Sequence, residues 1–165
     1  MSTLQSIFVF LQMNSHPASR RAAYRLGLAG LIPFLSLTLA CWVAPSAWLG
    51  RFLSWQMSYG ITILSFLGGL HWGAALLCRA LPVERSRIAL WWGVMPSLIG
   101  VGASWLPIGP GLALLCAAFL FVYLVDRRLY RWYGLPDWLP GLRLKLTCIV
   151  VPAIALTFIA LRMRS

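Results

Sequence analysis

The chain has 165 residues, of which 61% are hydrophobic and 10% charged. A soluble domain carries about 25% charged residues, so the composition excludes an ordinary water-soluble protein. The formal net charge is +11, from 14 basic and 3 acidic residues. The basic residues occupy short gaps between long apolar runs, which is typical of a polytopic membrane protein and argues against nucleic acid as a partner.

Residues 1–25 are predicted to form an N-terminal leader. Its segment LQSIFVFLQM is too short to cross a bilayer and lacks the basic start and small-residue cleavage site of a signal peptide. Met13 is an alternative start that would shorten this leader. Residues 26–161 then form one transmembrane domain, and residues 162–165 form a tail.

Five apolar stretches have about the 20 residues that a transmembrane helix requires. They lie at residues 26–44, 56–78, 88–106, 110–125 and 144–161. Gly109, Pro110 and Gly111 predict a tight turn between the third and fourth stretches. We therefore predict an all-α fold, a membrane bundle of five transmembrane helices.

The basic residues predict how this bundle is oriented. Eleven of them lie in the N-terminal flank, the 79–87 loop and the 126–145 loop, and three lie in the intervening connections and the tail. Cytoplasmic loops carry the excess of Lys and Arg. The N-terminus is therefore expected inside and the C-terminus outside. Tryptophans flank both ends of the spans, as interfacial residues do, and only Trp72 lies deep within one.

Each of the three spans that run outward carries a proline at a similar depth: Pro33, Pro96 and Pro152. A proline inside a helix removes the hydrogen bond to the carbonyl four residues earlier. The Ala29 carbonyl, for example, is expected to lose its helical partner to Pro33. We interpret these prolines as helix kinks.

The second span carries a face of small residues. They recur at steps of three and four residues: Ser58, Thr62, Ser65, Gly69 and Gly73. Such a face lets another helix approach closely in a membrane. It is predicted to pack against the chain's own helices, a second copy or a membrane-protein partner.

His71 is the one histidine of the five spans, and Trp72 follows it. An ionisable residue within a membrane is a functional candidate, and a neutral histidine that bonds across helices explains it equally well. Side chains lean toward the N-terminus of their helix, so His71 is expected to point to the outer side, with Gly68 leaving room beside its ring. The candidates for a ligand or packing site are His71, Trp72, Gly68, Gly69 and Ser65.

No enzymatic or cofactor site is predicted. The four cysteines fall one in each of four apolar segments without a Cys-x-x-Cys spacing, so neither a metal nor a redox motif is indicated. Ser65 and His71 do not share a helix face, and the sequence offers no nucleophile, base and orienting group together. The expectation is a protein without catalytic residues, metal or cofactor.

The loop after the fourth span holds the inner-face candidates Asp126, Arg127 and Arg143. One interpretation is an interfacial cap in which Asp126 pairs with a nearby arginine, with Arg143 as the hypothesised partner. The other is a surface for anionic lipid or a protein partner, because five basic residues cluster there. The cap is the favoured interpretation.

Several motifs resemble a known family: GLIPF at residues 30–34, YGITILSFLGGLHWG at 59–73, Asp126, and LPDWLPGLRLKLT at 135–147. The chain resembles, over residues 20–160, a family of small uncharacterised bacterial membrane proteins related to transmembrane protein 69 of animal mitochondria. SFLGG-x-HWG is the most specific element. The resemblance implies a bacterial inner-membrane location and five helices, and it marks His71, Trp72 and Asp126. It implies no activity.

Two functional hypotheses follow. The first is a non-enzymatic interaction, assembly or accessory subunit of the inner membrane. The second is a binder or carrier of a small hydrophobic or protonatable ligand, such as a quinone, that uses His71 and Trp72.

Overall fold

The computed structural model describes residues 17–78 and 80–164, and these residues are helical apart from short connections. The predicted leader up to residue 16, including the alternative start, and Arg79 lie outside the described residues. The helices are α1 (Pro17–Ala29), α2 (Ile32–Val43), α3 (Ser46–Leu77), α4 (Val83–Ser104), α5 (Ile108–Leu129) and α6 (Trp138–Arg164). A 3₁₀ turn, Tyr130–Trp132, follows α5.

The predicted all-α membrane bundle is confirmed. Four segments of the described chain are long and apolar enough to cross a bilayer: Ala18–Val43, Ser46–Leu77, Ile108–Trp132 and Trp138–Arg164. The remaining predicted span corresponds to α4, which has 22 residues and a length of about 33 Å. Three charged residues in its first turns make it less apolar than the others.

Most helices extend beyond the apolar stretches that predict them. Helix α3 begins at Ser46 rather than near residue 56, and α6 begins at Trp138 rather than near 144. Hydrophobicity marks only the part of a helix within hydrocarbon, whereas Trp and Arg let the same helix continue through the headgroup region. The predicted boundary between leader and membrane domain, at residue 26, falls inside α1.

The first predicted span contains a break. A turn at Gly30 and Leu31 separates α1 from α2, and Pro33 lies in the first turn of α2, where a proline replaces no helical hydrogen bond. The expectation that Pro33 lies inside a helix and kinks it is therefore wrong, because Pro33 lies at the start of a separate helix. The carbonyl at the break that gains a side-chain partner is that of Gly30, to which Tyr59 donates over 2.9 Å. Pro96 and Pro152 do lie inside helices.

Helices α3 and α4 cross with their backbones in close contact. A Cβ atom at Gly68 would overlap the Gly93 carbonyl oxygen, and one at Gly93 would lie 2.8 Å from the Gly68 carbonyl oxygen. Gly68 therefore makes room for α4 rather than for the His71 ring, which corrects the expectation from sequence.

An apolar core fills the middle of the bundle. Phe34, Leu64, Leu115 and Phe119 are almost completely buried, and the rings of Phe34 and Phe119 meet edge to face at 5.9 Å. Polar side chains are buried on both sides of this core along α3, around Gln56 and around His71. These two positions are about 22 Å apart along the helix.

The connections group at two ends of the bundle. We call one of them the basic end: it comprises the start of α1, residues 80–82 and residues 130–137. At the opposite end, Arg164 donates to the carbonyl oxygens of Cys41 and Ala44, beside the turn between α2 and α3. The α4–α5 turn lies at this opposite end as well.

Candidate functional site: a buried histidine–aspartate–arginine network

His71 lies toward the basic end of α3 and has no exposed surface. Its Nε2 atom is 2.9 Å from Oδ1 of Asp126, and its Nδ1 atom is 2.8 Å from the Tyr133 hydroxyl oxygen. An ionised carboxylate only accepts hydrogen bonds, so Nε2 carries the proton and donates to Asp126. In the neutral imidazole Nδ1 then accepts from the Tyr133 hydroxyl. Both ring nitrogens therefore have partners.

Asp126 is the centre of this network. Arg143 Nε donates to Oδ2 over 3.1 Å, and Trp92 Nε1 lies 3.4 Å from Oδ1, which His71 also contacts. The carboxylate thus receives donors from α3, α4 and α6. The hypothesised pairing of Asp126 with Arg143 is confirmed.

The expectation that Asp126 forms an interfacial cap is wrong, because its side chain is completely buried. Helix α5 runs toward the basic end, and helical side chains lean toward the N-terminus of their helix. The Asp126 carboxylate therefore points away from the headgroups and into the bundle. Four helices cover it there, and its charge is compensated by Arg143.

The expected position of the His71 partners on the outer side is also wrong. His71 meets Asp126 and Tyr133, which lie at the last turn of α5 and beyond it. The lean of helical side chains toward the N-terminus of α3 would by itself place the His71 partners away from the basic end. The partners reach His71 because Asp126 leans toward it from α5 and because the chain after α5 folds back under the bundle.

Arg143 anchors the network to α6. It is 6% exposed. Its Nη1 atom donates to the Thr147 hydroxyl over 2.9 Å, and that hydroxyl donates to the Arg143 carbonyl one turn earlier over 3.0 Å. Nη2 is the one nitrogen of this guanidinium that has no partner among the described residues.

Tyr130 and Tyr133 come from the 3₁₀ turn and the residue after it. Gly134 has a φ of 60°, a conformation that glycine adopts without strain, and it reverses the chain so that Tyr133 lies under the bundle. Burial raises the pKa of the Tyr133 hydroxyl, and the nearby Asp126 charge raises it further. Tyr133 therefore keeps its proton and is available as the donor to His71.

Sequence reasoning identified His71, Asp126 and Arg143 but missed Tyr133, Trp92 and Thr147 as their partners. The Thr147 contact has a recognisable signal, since residues four apart share a helix face. For Tyr133 the signal is weaker: a glycine and a proline follow it closely, and they mark a chain reversal.

The remaining predicted candidates do not join the network. Trp72 is 45% exposed and donates to the Leu90 carbonyl over 3.0 Å. The Ser65 hydroxyl donates to the Ile61 carbonyl of its own helix over 3.0 Å. Gly69 has open space around it, and Arg127 is exposed.

The chain matches, over residues 19–159, a family model described as "Protein of unknown function (DUF3429)". It belongs to this family. It is also 32% identical over 140 residues to Transmembrane protein 69 of Xenopus tropicalis; the match covers 79% of this chain and 51% of that protein. The chain thus spans about half the length of this relative. No solved structure matches it.

Two cavities on the surface of the described residues are not lined by the network's histidine. One, of about 510 Å³, is lined by Glu84, Arg87, Ile88, Trp91, Trp92 and Met95. The other, of about 710 Å³, is lined by Arg20, Gly134, Leu135, Pro136, Asp137 and Trp138. Within residues 17–78 and 80–164, no cluster of three His, Cys, Asp or Glu side chains is suited to a metal ion. The buried ionisable side chains that do bind one another are those of His71, Asp126, Arg143 and Tyr133.

Proposed function

We propose that this protein is a non-enzymatic accessory or assembly subunit of a bacterial inner (cytoplasmic) membrane, and that the small-residue face of α3 binds a membrane partner. The supporting observation is a contrast between two sides of one helix. The ionisable side chain on one side is buried and hydrogen-bonded, and the small residues on the other side are mostly exposed among the described residues.

The small-residue face consists of Ser58, Thr62, Ser65, Gly69 and Gly73. At 100° per residue these positions fall within an arc of about 80°. All but the half-buried Ser65 are exposed, and no atom lies within 4 Å of a Cβ built at Gly69 or Gly73. His71 lies about 160° from Gly69 around the helix. The described helices therefore pack on the opposite side, and within residues 17–78 and 80–164 this face is left mostly uncovered.

The geometry of the network supports a structural role for His71. Its two ring nitrogens bind Asp126 and Tyr133, so it holds α3 to α5 and to the following loop. Hydrogen bonds of this kind fix helix packing in membranes. A base or nucleophile would need access to a substrate, and His71 has no exposed surface.

The test is to block the small-residue face. Gly69→Leu and Gly73→Leu would each place a branched side chain where a partner helix has to approach. Affinity purification from native membranes, after cross-linking, should lose at least nine tenths of the partner for each variant. A cross-linked dimer of the chain itself would identify the partner as a second copy.

Gly50→Leu is the matched control. Gly50 is exposed on the same helix with no atom within 4 Å of a Cβ there, and it lies about 100° from Gly69 around the helix. It should leave the captured partners unchanged. Equal capture by wild type and the Gly69 and Gly73 variants would contradict the proposal.

A carrier of a small hydrophobic or protonatable ligand, such as a quinone, is the second candidate. One observation favours it: Trp92 lines the cavity of about 510 Å³, and its Nε1 is 3.4 Å from Asp126. A ligand in that cavity would thus be one side chain away from the network. Mass spectrometry of extracts from the purified protein should then detect a bound molecule that His71→Ala loses at intact fold. An extract without such a molecule would refute this candidate.

A further inference from the structure

The larger surface cavity, of about 710 Å³, lies at the basic end. Its walls are the first helix, through Arg20, and the connection that leads from Gly134 into the start of α6 at Trp138. Neither the buried network nor the small-residue face of α3 contributes to it. A ligand in this cavity would therefore be independent of the proposed function of the α3 face.

Two opposite charges line this cavity without neutralising each other. Arg20 and Asp137 are both exposed, and they form no ion pair with each other or with another described residue. A cavity with an unpaired cation and an unpaired anion complements a ligand that carries both charges. A purely anionic ligand would be attracted by Arg20 and repelled by Asp137.

Aromatic rings hold the cation side in place. The Tyr24 and Trp138 rings lie 5.7 Å apart, and the Arg20 guanidinium carbon is 5.8 Å from the centre of the Tyr24 ring. Lys145 Nζ is also 5.8 Å from that centre. Tyr and Trp rings favour the headgroup depth of a bilayer, and stacked cations gain stability at such sites. The cavity thus has a guanidinium beside an aromatic ring, among ring types that favour the depth of lipid headgroups.

We propose that this cavity binds the headgroup of a phospholipid that carries a primary ammonium, of the phosphatidylethanolamine class. Its phosphate lies against Arg20, with Lys145 adding positive charge, and its ammonium donates to Asp137. The apolar Leu135, Pro136 and Trp138 contact the glycerol region. A choline headgroup has no N–H to donate, and a glycerol headgroup has no cation for Asp137.

The test compares the lipids that remain bound to purified full-length protein. The protein is equilibrated with mixed micelles of equal amounts of phosphatidylethanolamine, phosphatidylglycerol and phosphatidylcholine, and bound lipid is counted by native mass spectrometry. Wild type should retain phosphatidylethanolamine about five-fold over either competitor, the scale of one interfacial charge. Asp137→Asn should invert the preference toward phosphatidylglycerol, because only the cations remain. Arg20→Gln should lose retention of both.

Arg51→Gln is the control, because Arg51 also stacks on a ring, at 4.9 Å from the centre of Trp48, but lines neither cavity. It should bind lipid as wild type does. A wild-type preference for phosphatidylglycerol, or no preference, overturns the proposal. Retention that ignores Asp137→Asn overturns it as well, since the lipid would then be a non-specific annular one. Asp137→Asn changes an exposed residue and leaves the bundle interior intact. Its lipid preference therefore tests the proposal even if Arg20→Gln fails to fold.

Discussion

Asp126 and Arg143 form a buried charged pair, and this burial determines how the network responds to mutation. Removing one charge of a buried pair leaves the other uncompensated, whereas removing both is often tolerated. Asp126 also accepts from His71 and Trp92. The site is therefore built for an acceptor at position 126 and for a cation at position 143.

Asp126→Asn should lower the free energy of unfolding by about 3–5 kcal/mol, the cost of an uncompensated buried charge. The double variant Asp126→Asn with Arg143→Met should recover most of that loss, because the Asn oxygen still accepts from His71 and no charge is left. Denaturation of the purified proteins in mixed micelles measures both. A double variant no more stable than the single one would contradict this account.

Exchanging the two charges should fail to rescue the fold. An arginine at position 126 would face the Nε2–H of His71 and the indole N–H of Trp92, which are both donors. Asp126→Arg with Arg143→Asp is therefore expected to express no better than Asp126→Arg alone. Expression level and monodispersity in detergent give the measurement. Rescue by the exchange would mean that the pair acts alone, without His71 and Trp92.

Tyr133→Phe should cost about 1 kcal/mol of unfolding free energy, because Nδ1 of the buried His71 loses its donor. Tyr123→Phe is the matched control: Tyr123 lies on α5, is half-buried and should change stability by less. Both variants are measured by the same micellar denaturation. A larger loss for Tyr123→Phe would argue against the hydrogen bond as a source of stability.

For individual residues, the sequence predicts that His71, Asp126 and Arg143 are important, but it does not predict most of the contacts that they make. Asp126 and Arg143 are predictable as a pair because acids are few among many cations in this chain and a buried charge needs a partner. The contacts of His71 are not predictable, because they depend on the depth to which α5 brings Asp126 and on a turn at Gly134. The depth of Asp126 is a tertiary feature, and the glycine and proline after Tyr133 mark the turn without showing which side chain it brings to His71.

At the scale of the elements, hydrophobicity predicts where the membrane-spanning segments lie but not their breaks or crossings. At the Gly30–Leu31 break the Gly30 carbonyl accepts a hydrogen bond from Tyr59, which lies 29 residues away. The crossing of α3 and α4 at Gly68 requires Gly93 at the same depth of another helix. The sequence shows glycines at both places, and only the packing shows which of them touch.

Gly68→Ala should lower the free energy of unfolding by about 1–3 kcal/mol, the range for overpacked sites. The added methyl group would meet the Gly93 carbonyl, and a backbone atom moves only if the whole helix moves. Gly69→Ala is the matched control one residue away. Since nothing lies within 4 Å there, alanine should be neutral or stabilising through its higher helix propensity. Equal effects of the two substitutions would contradict the close crossing.

At the scale of the whole molecule, the structure groups the connections in the way that the orientation prediction requires. The start of α1, residues 80–82 and residues 130–137 lie at the basic end, and the C-terminal Arg164 lies beside the α2–α3 turn at the other. Arg143 belongs to the eleven basic residues of the predicted inner side, and it is buried and paired. By sequence, the other ten lie in the segments of the predicted inner side, against three basic residues elsewhere in the chain.

This excess predicts that the basic end faces the cytoplasm and that the C-terminus is outside. Alkaline phosphatase is active only outside the cytoplasm, so its fusion after residue 107 or 164 should be active and its fusion after residue 134 inactive. Green fluorescent protein fused at the same positions should give the reverse pattern. A fluorescent C-terminal fusion would reverse the assignment, and the proposed headgroup cavity would then face the outer leaflet. The three fusion sites control for one another. If a fusion disturbs one helix, its result will disagree with the other two sites and will not be mistaken for a different orientation.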